Sequence, residues 1–155
     1  MKIKYIFTIS SLLACFIAFS QVSENRKVND FSKLIASQGI EVFYTISNSN
    51  SVKVEADDNE KLQMIKTLTN IKASSSANIK IQNLNTTEKI EIVASSSGSV
   101  SGQFDCTDYK TNVSSSGSLN AKVNARSVYI DVSSSGDVVL NGIGTSLEVK
   151  ASSSS

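Results

Sequence analysis

A period of nineteen residues constrains this chain more than any other feature. Ser-Ser-Ser recurs from Ser95, Ser114, Ser133 and Ser152, nineteen residues apart each time, and a further copy starts at Ser74, twenty-one residues ahead of Ser95. A fixed period near 20 marks a solenoid, whose units bury their apolar faces only by stacking. The columns of the repeat say the same. One holds Ile90, Tyr109, Val128 and Leu147; two places on stand Ile92, Thr111, Ile130 and Val149; two more give Ala94, Val113, Val132 and Ala151. Glu91, Lys110, Tyr129 and Glu148 lie between the first two columns, and Val93, Asn112, Asp131 and Lys150 between the next two. Alternation with period two is the pattern of a half-buried strand.

After the serines, Gly98, Gly117 and Gly136 share a column, which a positive φ or a close backbone approach would explain. A second strand follows, with Val100, Leu119 and Val138 inward, then Gly102, Ala121 and Leu140, then Phe104 and Val123, with Cys106, Ala125 and Gly144 closing each coil. The pattern predicts an all-β, single-stranded parallel β-helix of about 19 residues per coil, right-handed by the chirality rule for parallel connections. The copy at Ser74 fits the inward columns through Ile71, Ala73, Ser75, Ile79 and Ile81, and its two extra residues predict a bulge near Asn83 to Thr86. Alternation carried through the serines puts Ser75, Ser96, Ser115, Ser134 and Ser153 inward, as a structural hydroxyl ladder lining a tight corner. The competing reading is an outward hydroxyl surface for glycans or another flat polymer. Opposite charges on neighbouring coils, Glu91 beside Lys110 and Asp131 beside Lys150, read as surface pairs that discourage register slips.

The 30 serines among 155 residues would suit a disordered linker, but proline is absent and charge nearly balances at +1. The balance gives no basic field for nucleic acid. The absence of histidine removes the usual general base and the common zinc ligand.

Residues 1–20 read as a secretory signal peptide: Lys2 and Lys4, an apolar run from Ile6 to Phe19, then Ala18-Phe19-Ser20 as a small-residue cleavage site. The run is shorter than the roughly 20 residues that span a bilayer, which argues against a permanent anchor. A rival reading takes Leu12-Leu13-Ala14-Cys15 as a lipobox with Cys15 lipidated; against it, Phe16-Ile17-Ala18-Phe19 stays apolar past the cysteine. Cleavage after Ser20 leaves 13 basic against 14 acidic residues and Cys106 as the single cysteine, with no intramolecular disulfide.

Residues 21–67 read as a capping region. Ile40 to Ile46 alternates as a strand, Asn48-Ser49-Asn50-Ser51 is a turn cluster, and Val52 to Ala56 returns as a second strand, together a hairpin. Asp57 and Asp58 then precede a short helix over residues 59–65. Residues 68–155 are the coils, ending halfway through one at Ser155.

Phe31 to Tyr44, the stretch Val52 to Thr67 ending Leu62-Gln63-Met64-Ile65-Lys66-Thr67, and the recurring Ser-Ser-Ser-Gly coils together resemble the auto-transporter adhesin, head GIN domain family of secreted bacterial proteins. The resemblance covers most of residues 28–155. It implies a β-helix at the cell envelope and brings no catalytic or binding residues to transfer.

Some β-helix proteins cleave acidic polysaccharides with clustered carboxylates, and the nearest such set here is Asp105, Asp108 and Arg126, read as a surface salt bridge. Glu55, Asp57, Asp58 and Glu60 lack the spacing of a calcium loop and read as a helix entry. Cys106 reads as a buried, inert thiol. Gly142-Ile143-Gly144 is no phosphate loop, since no helix follows. Asn85-Thr86-Thr87 and Asn112-Val113-Ser114 match a glycosylation sequon. No catalytic, cofactor or metal set emerges. The expectation is an exported, non-enzymatic envelope protein that adheres to a glycan or another envelope component, in the periplasm, at the outer surface or outside the cell. The alternatives are a polysaccharide-active enzyme, resting on fold analogy alone, and a structural domain that assembles through its open C-terminal coil.

Overall fold

The computed structural model describes residues 22–27, 32–46, 51–56 and 67–152, in strands and turns throughout. The strands are β1 (Val22–Lys27), β2 (Lys33–Ala36), β3 (Glu41–Tyr44), β4 (Ser51–Ala56), β5 (Asn70–Ala73), β6 (Asn78–Ala94), β7 (Ser99–Val113), β8 (Ser118–Ser133) and β9 (Asp137–Ser152). From β6 to β9 every neighbour is parallel, and Val128 faces Tyr109 on one side and Leu147 on the other. The architecture is the expected parallel solenoid with nineteen residues per coil. Ile90, Ile92, Ala94, Val100, Phe104, Tyr109, Thr111, Val113, Leu119 and Val123 are all buried. In β9 the same columns lie open, with Leu147 at 66% and Val149 at 55% exposure. No described coil covers them.

Inward burial follows the alternation from Ser99 to Phe104 and again from Tyr109 to Val113; between Asp105 and Asp108 no residue is fully buried. Each coil therefore has two straight runs, a corner between them, and a four-residue turn that closes it.

That turn corrects one expectation. Ser75, Ser96, Ser115 and Ser134 point to solvent, as do Ser76, Ser97, Ser116 and Ser135. All eight have positive φ, from 50° to 65°. Two consecutive left-handed residues, with Gly117 N–H donating to Ser114 O at 2.8 Å and Gly98 N–H to Ser95 O at 2.8 Å, give the geometry of a type I′ turn. Alternation presumes extended backbone, and here the chain reverses instead. The following glycines do not have positive φ. A Cβ at Gly117 would lie 2.4 Å from Ala94 O and one at Gly98 2.5 Å from Ala73 O, so of the two reasons for the column, close backbone approach holds.

The stack also reaches further toward the N-terminus than residue 68. β2 pairs in parallel with β5 (Leu34 opposite Ile71) and β3 with β6 (Val42 opposite Ile79), a step of 37 residues. Gln38 and Gly39 have φ of 63° and 76°, and Gly39 N–H donates to Ser75 O at 2.9 Å. Ser37-Gln38-Gly39-Ile40 is thus the same turn, with Gln38 and Gly39 in place of the second and third serines. The hairpin forms as expected: β4 runs antiparallel to β3 (Val42 opposite Val54), and β1 runs antiparallel to β4. The short helix over residues 59–65 falls outside the described residues.

The two extra residues of β6 lie between Lys80, opposite Ser101, and Leu84, opposite Gln103, slightly before the expected place. The irregularity positions two asparagines. Asn83 accepts from Ile46 N–H at 2.7 Å and donates to Ile46 O at 2.5 Å. Asn85, fully buried, accepts from Leu68 N–H at 3.1 Å and donates to Leu68 O at 2.9 Å. Ile46 and Leu68 are where the first coil leaves the stack and returns to it. Each carboxamide replaces the backbone partner that the departing chain withdraws.

Two tests follow from this geometry. Ser116→Gly should stabilise the fold by up to about 1 kcal/mol, because glycine has no left-handed penalty, whereas Gly117→Ala should cost about 1–3 kcal/mol by overpacking. Urea unfolding of the two variants reads both signs. Asn85→Ala should cost about 2–3 kcal/mol in the same assay, since it strands a buried N–H and C=O.

Candidate functional site

The turns stack into the most regular surface feature of the molecule. Ser76 N–H donates to Ser96 O at 3.0 Å, Ser97 N–H to Ser115 O at 3.1 Å and Ser116 N–H to Ser134 O at 3.2 Å, so a line of hydrogen-bonded peptide groups runs along the stacked turns. The eight exposed hydroxyls form two parallel columns, with coils about 4.8 Å apart. None of these hydroxyls has a side-chain hydrogen bond to a described residue. Of the two readings of the triple serines, the outward one describes the second and third serine of each triplet.

The outward face of the shorter run is paired within itself. Lys110 Nζ meets Glu91 at 3.2 Å and Asn70 donates to Glu91 at 3.4 Å. The expected Asp131–Lys150 pair does not form, although the two stand directly opposite; Lys150 turns instead to Glu148 at 3.4 Å and lies over the Tyr129 ring at 5.1 Å. Those contacts hold the Lys150 ammonium above its usual range, the Tyr129 hydrogen bond first among the causes. Near the serine corner, Glu41 takes Lys80 at 2.6 Å and Asn78 at 3.0 Å, and Ser99 donates to Asn78 at 2.8 Å.

The surface salt bridge expected of Asp105, Asp108 and Arg126 does not form among the described residues. Asp105 and Asp108 flank the corner, opposite Asn124 and Ser127, and neither has an ion pair with Arg126 among the described residues. The structural reason is register: Arg126 occupies the corner position between Ala125 and Ser127, level with Thr107 rather than with either aspartate. The described residues contain no group of three metal-ligating side chains. Asp57, Asp58 and Glu60 lie outside the described residues, as does the side chain of Glu55. Gly142 lies in β9 with strand on both sides.

Cys106 is half-buried rather than buried, against the edge of the core. Partial burial pushes its thiol up to about 11, and Asp105 and Asp108 add to the shift. Those carboxylates oppose a second negative charge, so they keep the sulfur protonated. Tyr109, beside it and packed on Phe104 at 5.8 Å between ring centroids, is pushed well above the phenol range by burial. The sequence reading missed the two gripping asparagines, Asn83 and Asn85; amides beside a two-residue irregularity were the available signal.

A raised acid pKa means that the folded state keeps its proton after the unfolded chain has lost it. The contribution of Cys106 to stability is therefore constant below about 9 and falls as pH rises toward about 11. At pH 8 its thiolate fraction should be about a hundredfold below that of an ordinary thiol at 9.0. Alkylation of the folded protein, compared with the urea-unfolded chain, should show that lag and lose it at high pH.

Described helices long and apolar enough to cross a membrane are absent. The family model described as "Putative auto-transporter adhesin, head GIN domain" matches residues 30–155. No curated protein matches the chain.

Proposed function

The chain belongs to the auto-transporter adhesin, head GIN domain family, and from that premise we propose that it is an exported, non-enzymatic binding module that adheres to a component of the cell envelope or its surroundings. The observation that carries this reading is the layout of its surface. A stiff parallel ladder holds hydroxyl, amide and charged side chains at fixed intervals along one axis, which suits a partner that is itself extended and repetitive. The family's adhesin description agrees with a surface or exported setting, and the leader read in residues 1–20 agrees with export. The chemistry of the described side chains also favours binding over turnover. The sequence has no histidine, the half-buried thiol is held protonated, and neither Asp105 nor Asp108 forms an ion pair with Arg126 among the described residues. Solenoids elsewhere present their ligand surfaces in this way, along stacked equivalent positions.

Fluorescently labelled protein incubated with intact bacterial cells and with purified envelope fractions tests the reading. Saturable binding, competed by unlabelled protein, is the expected result. Binding that never saturates or cannot be competed, or release of soluble sugar from the envelope during incubation, would overturn it.

A further inference from the structure

On the outward face of the longer run, the part carried by β7, β8 and β9 is rich in amide side chains. The ladder sets Ser101, Gln103 and Asp105 opposite Asn120, Lys122 and Asn124, and those opposite Val139, Asn141 and Ile143. These nine residues make a three-by-three lattice, about 6.6 Å between columns and about 4.8 Å between rows. Lys122 is its centre. Four carboxamides surround it: Gln103 and Asn141 above and below, Asn120 and Asn124 on either side.

Every member of that cross is exposed, and none has a side-chain hydrogen bond or ion pair to a described residue. Elsewhere outward side chains form the Glu91–Lys110 pair on the shorter run and, toward the N-terminus of this same face, the Glu41–Lys80 pair. Asparagine is also among the residues least suited to a strand, yet three occupy outward strand positions here. A local choice that opposes the fold's own preference is expected where a surface has another task.

Resting on the adhesin reading above, we propose that this lattice is a binding surface for a neutral, hydroxyl-rich glycan chain. A carboxamide both donates and accepts, as a sugar hydroxyl does, so four of them can serve a ligand whose groups present either role. The formal charge of the lattice is zero, Lys122 against Asp105, which gives a polyanion no net field to follow. Val139 and Ile143, the latter 76% exposed, supply apolar contact for the C–H faces of sugar rings at one margin. The lattice spans three outward columns and three coils, room for several sugars of a chain rather than a single terminal residue.

The test uses the purified chain, an Asn120→Ala/Asn124→Ala double variant and a Lys122→Gln variant, with thermal unfolding to show that all fold alike. Retardation in gels containing mannan, laminarin or hydroxyethyl cellulose as neutral probes, and polygalacturonate as the acidic one, reads affinity. At least one neutral glycan should retard the native chain, and the double variant should bind it at least tenfold more weakly. Lys122→Gln should keep most of that binding. Retardation by polygalacturonate alone, abolished by 0.5 M salt, would overturn the proposal. So would equal binding of neutral glycan by the double variant. Capture on envelope fractions, run in parallel, separates the two levels: if native and double-variant chains are captured equally, the lattice assignment fails and the adhesin reading stands. If neither is captured saturably, the adhesin reading itself fails.

Discussion

The closing turn of each coil is the constraint on which the rest depends. A coil of nineteen residues returns to its starting line only because two successive residues adopt left-handed backbone, as at Ser96-Ser97 and Ser115-Ser116. Left-handed conformation costs an ordinary residue about 1–2 kcal/mol, so the turn must be held. Two bonds hold it: the glycine N–H to the first serine carbonyl within the turn, and the third serine N–H to the next turn's second serine carbonyl. The second of these links neighbouring coils, so each turn stabilises the next. The glycines then let the coils approach so closely that Gly117 lies against the Ala94 carbonyl.

With the turns fixed, the inward columns have no choice of register. Ile90, Tyr109 and Val128 stack because their turns stack, and a slip by one residue would carry every apolar side chain to the solvent face. Two members of these columns are polar. The hydroxyls of Tyr109 and Thr111 are buried without a partner among the described residues. Each unpaired buried hydroxyl opposes folding by about 1–3 kcal/mol, and the neighbouring apolar columns carry that cost. Asn85 shows the opposite solution: buried, but bonded through both ends of its carboxamide to Leu68.

The columns were legible from the sequence because a repeat makes the same statement several times over, and one deviant residue, such as Thr111 among Ile92, Ile130 and Val149, does not hide it. The serine orientation was misread because period-two alternation was carried through residues that are not extended; a run of equal residues offers no polarity contrast to reveal the reversal. The first coil was hidden for a different reason. Its turn is Ser37-Gln38-Gly39, and its return to the stack comes 37 residues on rather than nineteen, so neither the marker nor the period survives. Asn83 and Asn85 carried a faint signal, and only the structure shows that they face the two ends of the excursion.

The same logic explains why the candidate surface was harder to see than the fold. Inward positions must repeat, since each must match the coil above and below. Outward positions answer only to solvent and to partners, so Lys122 can stand between Gln103 and Asn141 with no repeat to announce it. A column read down the sequence detects what is alike. A surface that recognises something is built from what differs between coils, and its members are joined across rows by the ladder rather than along the chain. In this protein the residues that break the repeat on the outward face while leaving the inward columns intact are the ones in which selection for a partner can be expressed without cost to the stack.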